Sequence, residues 1–171
     1  MATTYEAIAT VTVGSGGAAS IDFTSIPGTF TDLAILLSGR IDATFGNAWY
    51  DTYLKVNSTA GTTRDLYGTG SSVASATDAG EIRILGVPSS GATASTFSNA
   101  LIYITNYASS TTYKSISIDS VSENNATASM AQLGAGLYSS NTAITSLSLD
   151  PYSTGNFTQY STATLYGIKN S

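Results

Sequence analysis

The strongest constraint on the fold is a repeating pattern of short segments in which every second residue is apolar. Such segments, bounded by clusters of Gly, Ser, Asn and Asp, are typical of half-buried β-strands. Helix-forming residues such as Glu, Gln, Lys and Arg are scarce, whereas Thr, Val and Ile are plentiful and Tyr occurs 11 times. The pattern therefore predicts an all-β protein.

About ten strand segments can be read along the chain. They cover residues 5–13, 21–23, 33–37, 49–56, 81–85, 99–106, 113–121, 129–138, 143–149 and 157–168. Residues 68–80 and 87–96 are rich in small residues, so we expect loops there. No linker divides the chain, which predicts one domain over residues 1–171. This strand count favours an antiparallel jelly-roll-like β-sandwich over an immunoglobulin-like sandwich, which needs only about 100 residues.

Two segments carry sharper expectations. The sequence "GSGG" at residues 14–17 predicts a turn joining an N-terminal hairpin over residues 4–24 with one buried face. A flexible arm that contacts neighbouring subunits is the alternative. Residues 33–37 are apolar at every position. Because both faces of such a strand must be covered, we expect it in the middle of a sheet.

Charge limits the possible partners. The formal net charge is −5, with 6 basic residues scattered along the chain. This balance argues against nucleic acid, which is bound through Lys and Arg, and against an electrostatic membrane anchor. Only 10% of residues are charged. Such a surface can pack against another protein with little charge to desolvate.

The usual catalytic residue types are missing. The chain has no His and no Cys, which excludes a Ser-His-Asp triad, a thiol nucleophile and His- or Cys-ligated zinc. Two carboxylates would suffice for a glycosidase, but nothing in the spacing of the 11 acidic residues singles out a pair. Calcium held by carboxylates of distant loops stays an alternative. We expect no enzymatic activity, no metal and no cofactor.

Aromatic residues give one candidate binding site. The segment "NAWYDTY" contains Trp49, Tyr50 and Tyr53 beside Asn and Asp. Aromatic faces next to such polar groups can bind a glycan by stacking and hydrogen bonding. The alternative is that Trp49 and Tyr53 share a strand face and pack on the core or on a neighbouring subunit.

Two motifs resemble a known family. The segment "ASIDFTSIPGTFTDLAILLSGR" and the later "NFTQYSTATLYGIKNS" resemble a domain of tailed-bacteriophage virion proteins, of the cyanophage and marine-phage type. The shared elements are "I-x-F-x-S-I-P-x-T-Y/F-T-D-L", at residues 21–33, and a closing "G-S-x-A-T-L-Y-G-I" strand ending at Ile168. Tyr160 stands where the family often has Gly.

The resemblance implies a structural role in the virion. A capsid decoration (cement) protein that binds the outer shell fits a chain of this size. The implied partners are the major capsid protein or other virion proteins, and further copies of the chain, with a trimer favoured. We expect synthesis in the host bacterial cytoplasm and a final location on the virion surface, with no nucleic acid and no membrane as partner. The N-terminal strand, with Tyr5 and Glu6, would contact a neighbouring subunit by adding to its sheet edge.

A second reading of the same resemblance is a receptor-binding tail-fibre module or adhesin. It would recognise a host surface glycan through Trp49, Tyr50 and Tyr53.

Overall fold

The computed structural model describes residues 4–43, 48–69, 72–126, 128–152 and 155–169. Within these ranges the chain forms twelve β-strands and no helix, so the all-β prediction is confirmed although the strands outnumber the ten expected. The strands are β1 Thr4–Thr12, β2 Ile21–Phe23, β3 Asp32–Ser38, β4 Trp49–Val56, β5 Thr62–Thr69, β6 Ser72–Asp78, β7 Ile82–Pro88, β8 Asn99–Ile104, β9 Lys114–Glu123, β10 Ser129–Tyr138, β11 Leu147–Pro151 and β12 Thr162–Lys169.

The strands form two antiparallel sheets. The large sheet has eight strands in the order β1-β12-β3-β8-β9-β10-β5-β6, and the small sheet has four in the order β2-β11-β4-β7. Early strands pair with late ones: β1 with β12 and β3 with β8 in the large sheet, β2 with β11 and β4 with β7 in the small sheet. The chain thus alternates between the two layers, and the hairpins β5–β6 and β9–β10 extend only the large sheet.

The predicted N-terminal hairpin is wrong. The segment 14–17 does contain a turn, in which the Gly17 amide donates to the Gly14 carbonyl over 3.1 Å. The chain then crosses from one layer to the other, because β1 pairs with β12 while β2 pairs with β11. Ile21 and Phe23 are buried as expected, but their hydrogen-bonding partners come from the far end of the chain.

β1 also lacks the single buried face that its alternation predicts. The pairing with β12 shifts between Ala7 and Ala9, which marks a β-bulge. Because a bulge adds one residue, it moves the following side chains to the other face. Tyr5 lies 58% exposed before the bulge, whereas Val11, after it, packs against the core.

β3 confirms a central strand, with one correction. It lies third in the large sheet, between β12 and β8. Leu33, Ile35 and Leu37 point into the core and are buried, and Ala34 on the other face is buried as well. Leu36 is 45% exposed, so the prediction that both faces are covered fails there.

The two predicted loops have different outcomes. Residues 68–80 were expected to form a loop, but β5 continues to Thr69 and β6 spans Ser72–Asp78 beside it. β6 is an edge strand, and its small residues leave no core pattern to recognise. The expected loop over 87–96 is confirmed from Ser89 onward. There the Arg40 guanidinium donates to the carbonyl oxygens of Ala92, Thr93 and Thr96.

The core lies between the sheets. It is mostly aliphatic, with Leu54, Ile84, Ile102 and Leu165 fully buried, and it also contains the fully buried Tyr107 and Phe157. Burial of each such side chain contributes about 1.5–3 kcal/mol before conformational entropy is subtracted. The sheets approach closely at β10, where a Cβ on Gly136 would lie 3.1 Å from Ile82 Cγ2. This core covers the inner face of each sheet. One candidate site lies between the sheets at the edge of the core, and another surface of interest is the outer face of the large sheet.

Candidate functional site

β4 holds the predicted glycan-contact residues as a regular strand with one irregularity opposite it. Its pairing with β7 shifts between Tyr50 and Thr52, which leaves one extra residue on β7. Gly86 lies in that bulge with φ of +81°, a conformation that favours glycine. A Cβ there would also lie 2.7 Å from Met130 Cγ. The bulge therefore requires glycine, and it sets how β7 passes beneath the β4 aromatics.

The structure brings Trp49, Tyr50 and Tyr53 together around Tyr152. The Tyr152 ring lies 5.4 Å from Tyr50, tilted, and 5.5 Å from Tyr53, edge to face. Tyr152 follows directly after β11, and the sequence analysis missed it because no local pattern joins it to β4. It is the most accessible of the three tyrosines, at 46% exposed.

These rings border an open depression of about 290 Å³ between the two layers. Its walls are Trp49, Tyr50, Tyr67 and Tyr152, with Asp51 and Arg83 as the charged groups. Tyr53 does not line the depression but supports Tyr152 from the side. An aromatic wall with a carboxylate and a guanidinium at hand can stack a flat apolar ring face and hydrogen-bond its hydroxyl groups.

A buried polar network fixes the charged side of the depression. Arg83 donates to Asp65 Oδ2 through Nε at 3.2 Å and an Nη at 3.0 Å, and lies 3.8 Å from Asp51. Gln132 donates to Asp65 and to the Arg83 carbonyl, and its Oε1 accepts from the Leu85 amide. Because β5 and β10 belong to the large sheet and β7 to the small one, this network joins the layers. The Asp65 carboxylate is thereby occupied and inaccessible.

The pKa values of Asp51 and Tyr53 are both raised. Burial raises the pKa of Asp51, while the nearby Arg83 opposes that rise. Burial, reinforced by the charges of Asp51 and neighbouring acids, raises the pKa of Tyr53 to about 12. Tyr53 is therefore a neutral hydrogen-bond donor at physiological pH.

Tyr5 and Glu6 lie elsewhere. β1 is at one edge of the large sheet, and β5, which contributes Tyr67 to the depression, is near the opposite edge. Tyr5 packs edge to face on Tyr166 at 6.2 Å. Glu6 forms an exposed ion pair of 3.3 Å with Lys169. The structure thus separates the predicted subunit-contact residues from the predicted glycan-contact residues.

The outer face of the large sheet, turned away from the core, carries a feature that the sequence analysis did not identify. Four leucines from four strands lie in one row, which we call the leucine row: Leu36, Leu101, Leu133 and Leu66. Leu36 pairs with Leu101 and Leu133 with Leu66, with Asp119 between the two pairs. Residues directly opposite in antiparallel strands share a face. The four are 45%, 41%, 64% and 52% exposed, respectively.

The rows beside the leucine row are mostly small. On one side Val121, Ala131, Gly68 and Val73 follow each other across the sheet. On the other side Tyr103, Ser117, Ala135 and Arg64 do so. A shallow apolar groove of about 470 Å³ lies between Leu66, Val73, Val121 and Leu133. The leucine row is therefore flanked by small residues on β10 and by the larger side chains of Tyr103 on β8 and Val73 on β6.

Charge on this face is sparse. Arg64 donates a hydrogen bond of 2.9 Å to Thr77 Oγ1. Neither Arg64 nor Asp119 forms an ion pair with any residue in the described ranges. Three exposed charges, those of Arg64, Asp119 and Glu123, thus lie on a mainly uncharged surface.

Lys114 is a charged residue that lies in the interior of the protein. Its side chain is fully buried, and Nζ lies within 2.6–3.3 Å of the carbonyl oxygens of Ser109, Thr112, Ser140 and Thr142. Burial lowers the pKa of Lys114. The ammonium ties the loop before β9 to the loop after β10.

Comparisons with protein-family models, curated proteins and solved structures found no match for this chain. Among the described residues, no group of three or more acidic, His or Cys side chains is placed to hold a metal ion. The same part of the structure has no helix able to span a membrane.

Proposed function

We propose that this chain is a structural protein of a bacteriophage virion, and specifically a capsid decoration (cement) protein on the virion surface. The observation that carries the proposal is the exposed leucine row on the outer face of the large sheet. Monomeric proteins rarely expose large contiguous apolar patches, and such patches mark association surfaces. The phage assignment itself comes from the two sequence motifs, and no residue in this role performs chemistry.

A jelly-roll topology is part of the proposal. In a jelly roll, a long antiparallel hairpin is rolled so that its successive pairs alternate between two sheets. The orders β1-β12-β3-β8 and β2-β11-β4-β7 support this reading. Here β9, β10, β5 and β6 would be an extension of one sheet. That extension carries Leu133 and Leu66 and so supplies half of the leucine row.

The test is the stoichiometry of purified virions of the phage that encodes this chain. Quantitative mass spectrometry should give about one copy per major capsid subunit, or a fixed large fraction of it. Virions that lack the protein should lose heat resistance, because a bound cement protein stabilises the shell by mass action. Absence of the chain from virions, or unchanged heat resistance without it, would contradict the proposal.

A second candidate is a receptor-binding tail-fibre module or adhesin, favoured by the aromatic depression. Trp49, Tyr50 and Tyr152 present ring faces beside Asp51 and Arg83, which is the chemistry that binds a sugar ring. The buried Arg83–Asp65–Gln132 network would hold the charged groups in place without a ligand. Low copy number in virions, a few to a few tens per particle, would favour this candidate.

Its direct test compares Trp49→Ala and Tyr152→Ala with Tyr113→Ala. Tyr113 is a matched control because it is 60% exposed and does not line the depression. The first two variants should abolish adsorption of phage to cells while the control adsorbs normally. Normal adsorption by folded Tyr152→Ala would remove the glycan hypothesis at this site.

A further inference from the structure

We propose that the outer face of the large sheet packs against the same face of a second copy of this chain, related by a two-fold axis. This inference rests on the proposed structural role and names the partner for its main exposed surface. It replaces the trimer that the resemblance favours with a face-to-face pair.

The outer face is large enough for a specific interface. Six strands, from β3 through β6 in sheet order, form it without a register shift between them. At a spacing of about 4.8 Å and a rise of about 3.4 Å per residue, six strands of about seven residues cover roughly 700 Å². Stable interfaces bury about 600–1,000 Å² on each partner. One face is therefore sufficient for a specific pair.

The outer face holds both protruding side chains and gaps between them. Two sheet faces pack about 10 Å apart when the side chains of one enter the gaps of the other. The leucine row provides the protruding side chains, and the rows with Ala131, Gly68, Ser117 and Ala135 provide the gaps. Because the same face holds both, a second copy can place its leucines over these small residues.

The charges of the outer face can pair between two copies. Arg64 and Asp119 lie two strands and one row apart, which separates their Cα atoms by about 12 Å, too far for an ion pair within the chain. In a two-fold interface each contact occurs twice with the partners exchanged. Arg64 of each copy can then meet Asp119 of the other. A face with only a few charges, of both signs, fits its own copy better than a partner of strong single-sign charge.

The experiment measures the mass of the purified full chain by sedimentation velocity over a dilution series. We expect a species of twice the 17.5 kDa chain mass. A chain that stays monomeric at high concentration would overturn the proposal, and would leave a different virion protein as the occupant. A species of three chains would overturn the two-fold arrangement.

Variants test the face itself. Leu66→Asp should weaken self-association about tenfold or more, because it buries an unpaired charge in the interface. The control Tyr113→Asp, which changes an exposed residue that precedes β9 and lies outside the strands of the face, should associate as the unmodified chain does. Circular dichroism establishes that each variant is folded.

A charge exchange makes the test independent of any folding defect. Arg64→Glu and Asp119→Lys should each weaken association several-fold, and the double variant should restore it, since the pair is rebuilt with the signs reversed. Single variants that associate normally, or a double variant with no rescue, would overturn the proposal.

The outcome is separable from the proposed function. A pair in solution, for a chain that virions lack, would leave this inference standing and remove the virion role. A monomeric chain found in virions would do the reverse.

Discussion

Lys114 is a single residue that carries its charge inside the protein. A fully buried ammonium without a carboxylate partner is unusual, because a buried charge is normally paired. Here backbone carbonyl oxygens from two loops take that place. The sequence contains a signal for this, since alternation places Lys114 on the same strand face as Ile116 and Ile118.

Lys114→Met should destabilise the fold by about 2–4 kcal/mol, because it leaves buried carbonyl oxygens without a donor. Lys169→Met is the matched control. Lys169 forms an exposed ion pair with Glu6 at 3.3 Å, so its loss should cost less than about 1 kcal/mol. Urea unfolding of both variants measures the difference. Equal losses of unfolding free energy in the two variants would mean that the hydrogen bonds from Lys114 to the four carbonyl oxygens do not stabilise the fold.

Tyr103 predicts how stability depends on alkaline pH. Its hydroxyl donates to Asp32 Oδ2 over 2.7 Å. That hydrogen bond, with burial and the Asp32 charge, raises the pKa of Tyr103 to about 12. The folded state therefore holds this proton more tightly than the unfolded state, whose tyrosine titrates near pH 10. The stabilisation is complete below about pH 10 and is lost as the pH rises towards 12.

The measurement is the melting temperature of the unmodified chain and of Tyr103→Phe from pH 8 to pH 12. The unmodified chain should be the more stable at pH 8, and the gap should narrow between pH 10 and 12. A gap that stays constant across this range would contradict the assigned hydrogen bond.

At the element scale, periodicity located most strands but did not reveal their partners. β4 and β10 have the bounds that the alternation predicts. The N-terminal hairpin failed because a Gly-rich turn is equally compatible with a hairpin and with a crossover between layers. β6 was missed because an edge strand exposed on both faces has no apolar alternation. Pairing of distant strands is decided by the shared core, which no short window contains.

β3 allows a direct comparison of its two faces. Ile35 is fully buried, whereas Leu36 next to it is 45% exposed on the outer face. Ile35→Ala should cost about 2–5 kcal/mol of unfolding free energy because it leaves a cavity. Leu36→Ala should cost less than about 1 kcal/mol in dilute, monomeric protein, yet weaken self-association. Chemical unfolding and sedimentation together test this. A Leu36→Ala variant as unstable as Ile35→Ala would mean that the outer face is covered within one chain.

At the scale of the whole molecule, composition predicted a protein-binding surface but not its place. Exposed and buried leucines look alike in a sequence: Leu36 stands inside a continuous apolar run, whereas Leu66 and Leu133 each follow a single polar residue. Only the register of the sheet places them in one row. The aromatic depression was partly predictable, because Trp49 and Tyr50 are close in sequence. Tyr152, Tyr67 and Arg83 join it only through the packing of the two layers.

Self-association through the outer face links thermal stability to concentration. If two folded copies bind and unfolded chains do not, mass action raises the melting temperature as the protein is concentrated. For a chain of this size, each tenfold increase should raise it by about 2 °C. The melting temperature of Leu66→Asp should rise less over the same concentration range, whereas Tyr113→Asp should follow the unmodified chain. Differential scanning calorimetry measures all three. A melting temperature independent of concentration in the unmodified chain would mean that the leucine row stays in water, and that its partner is another protein.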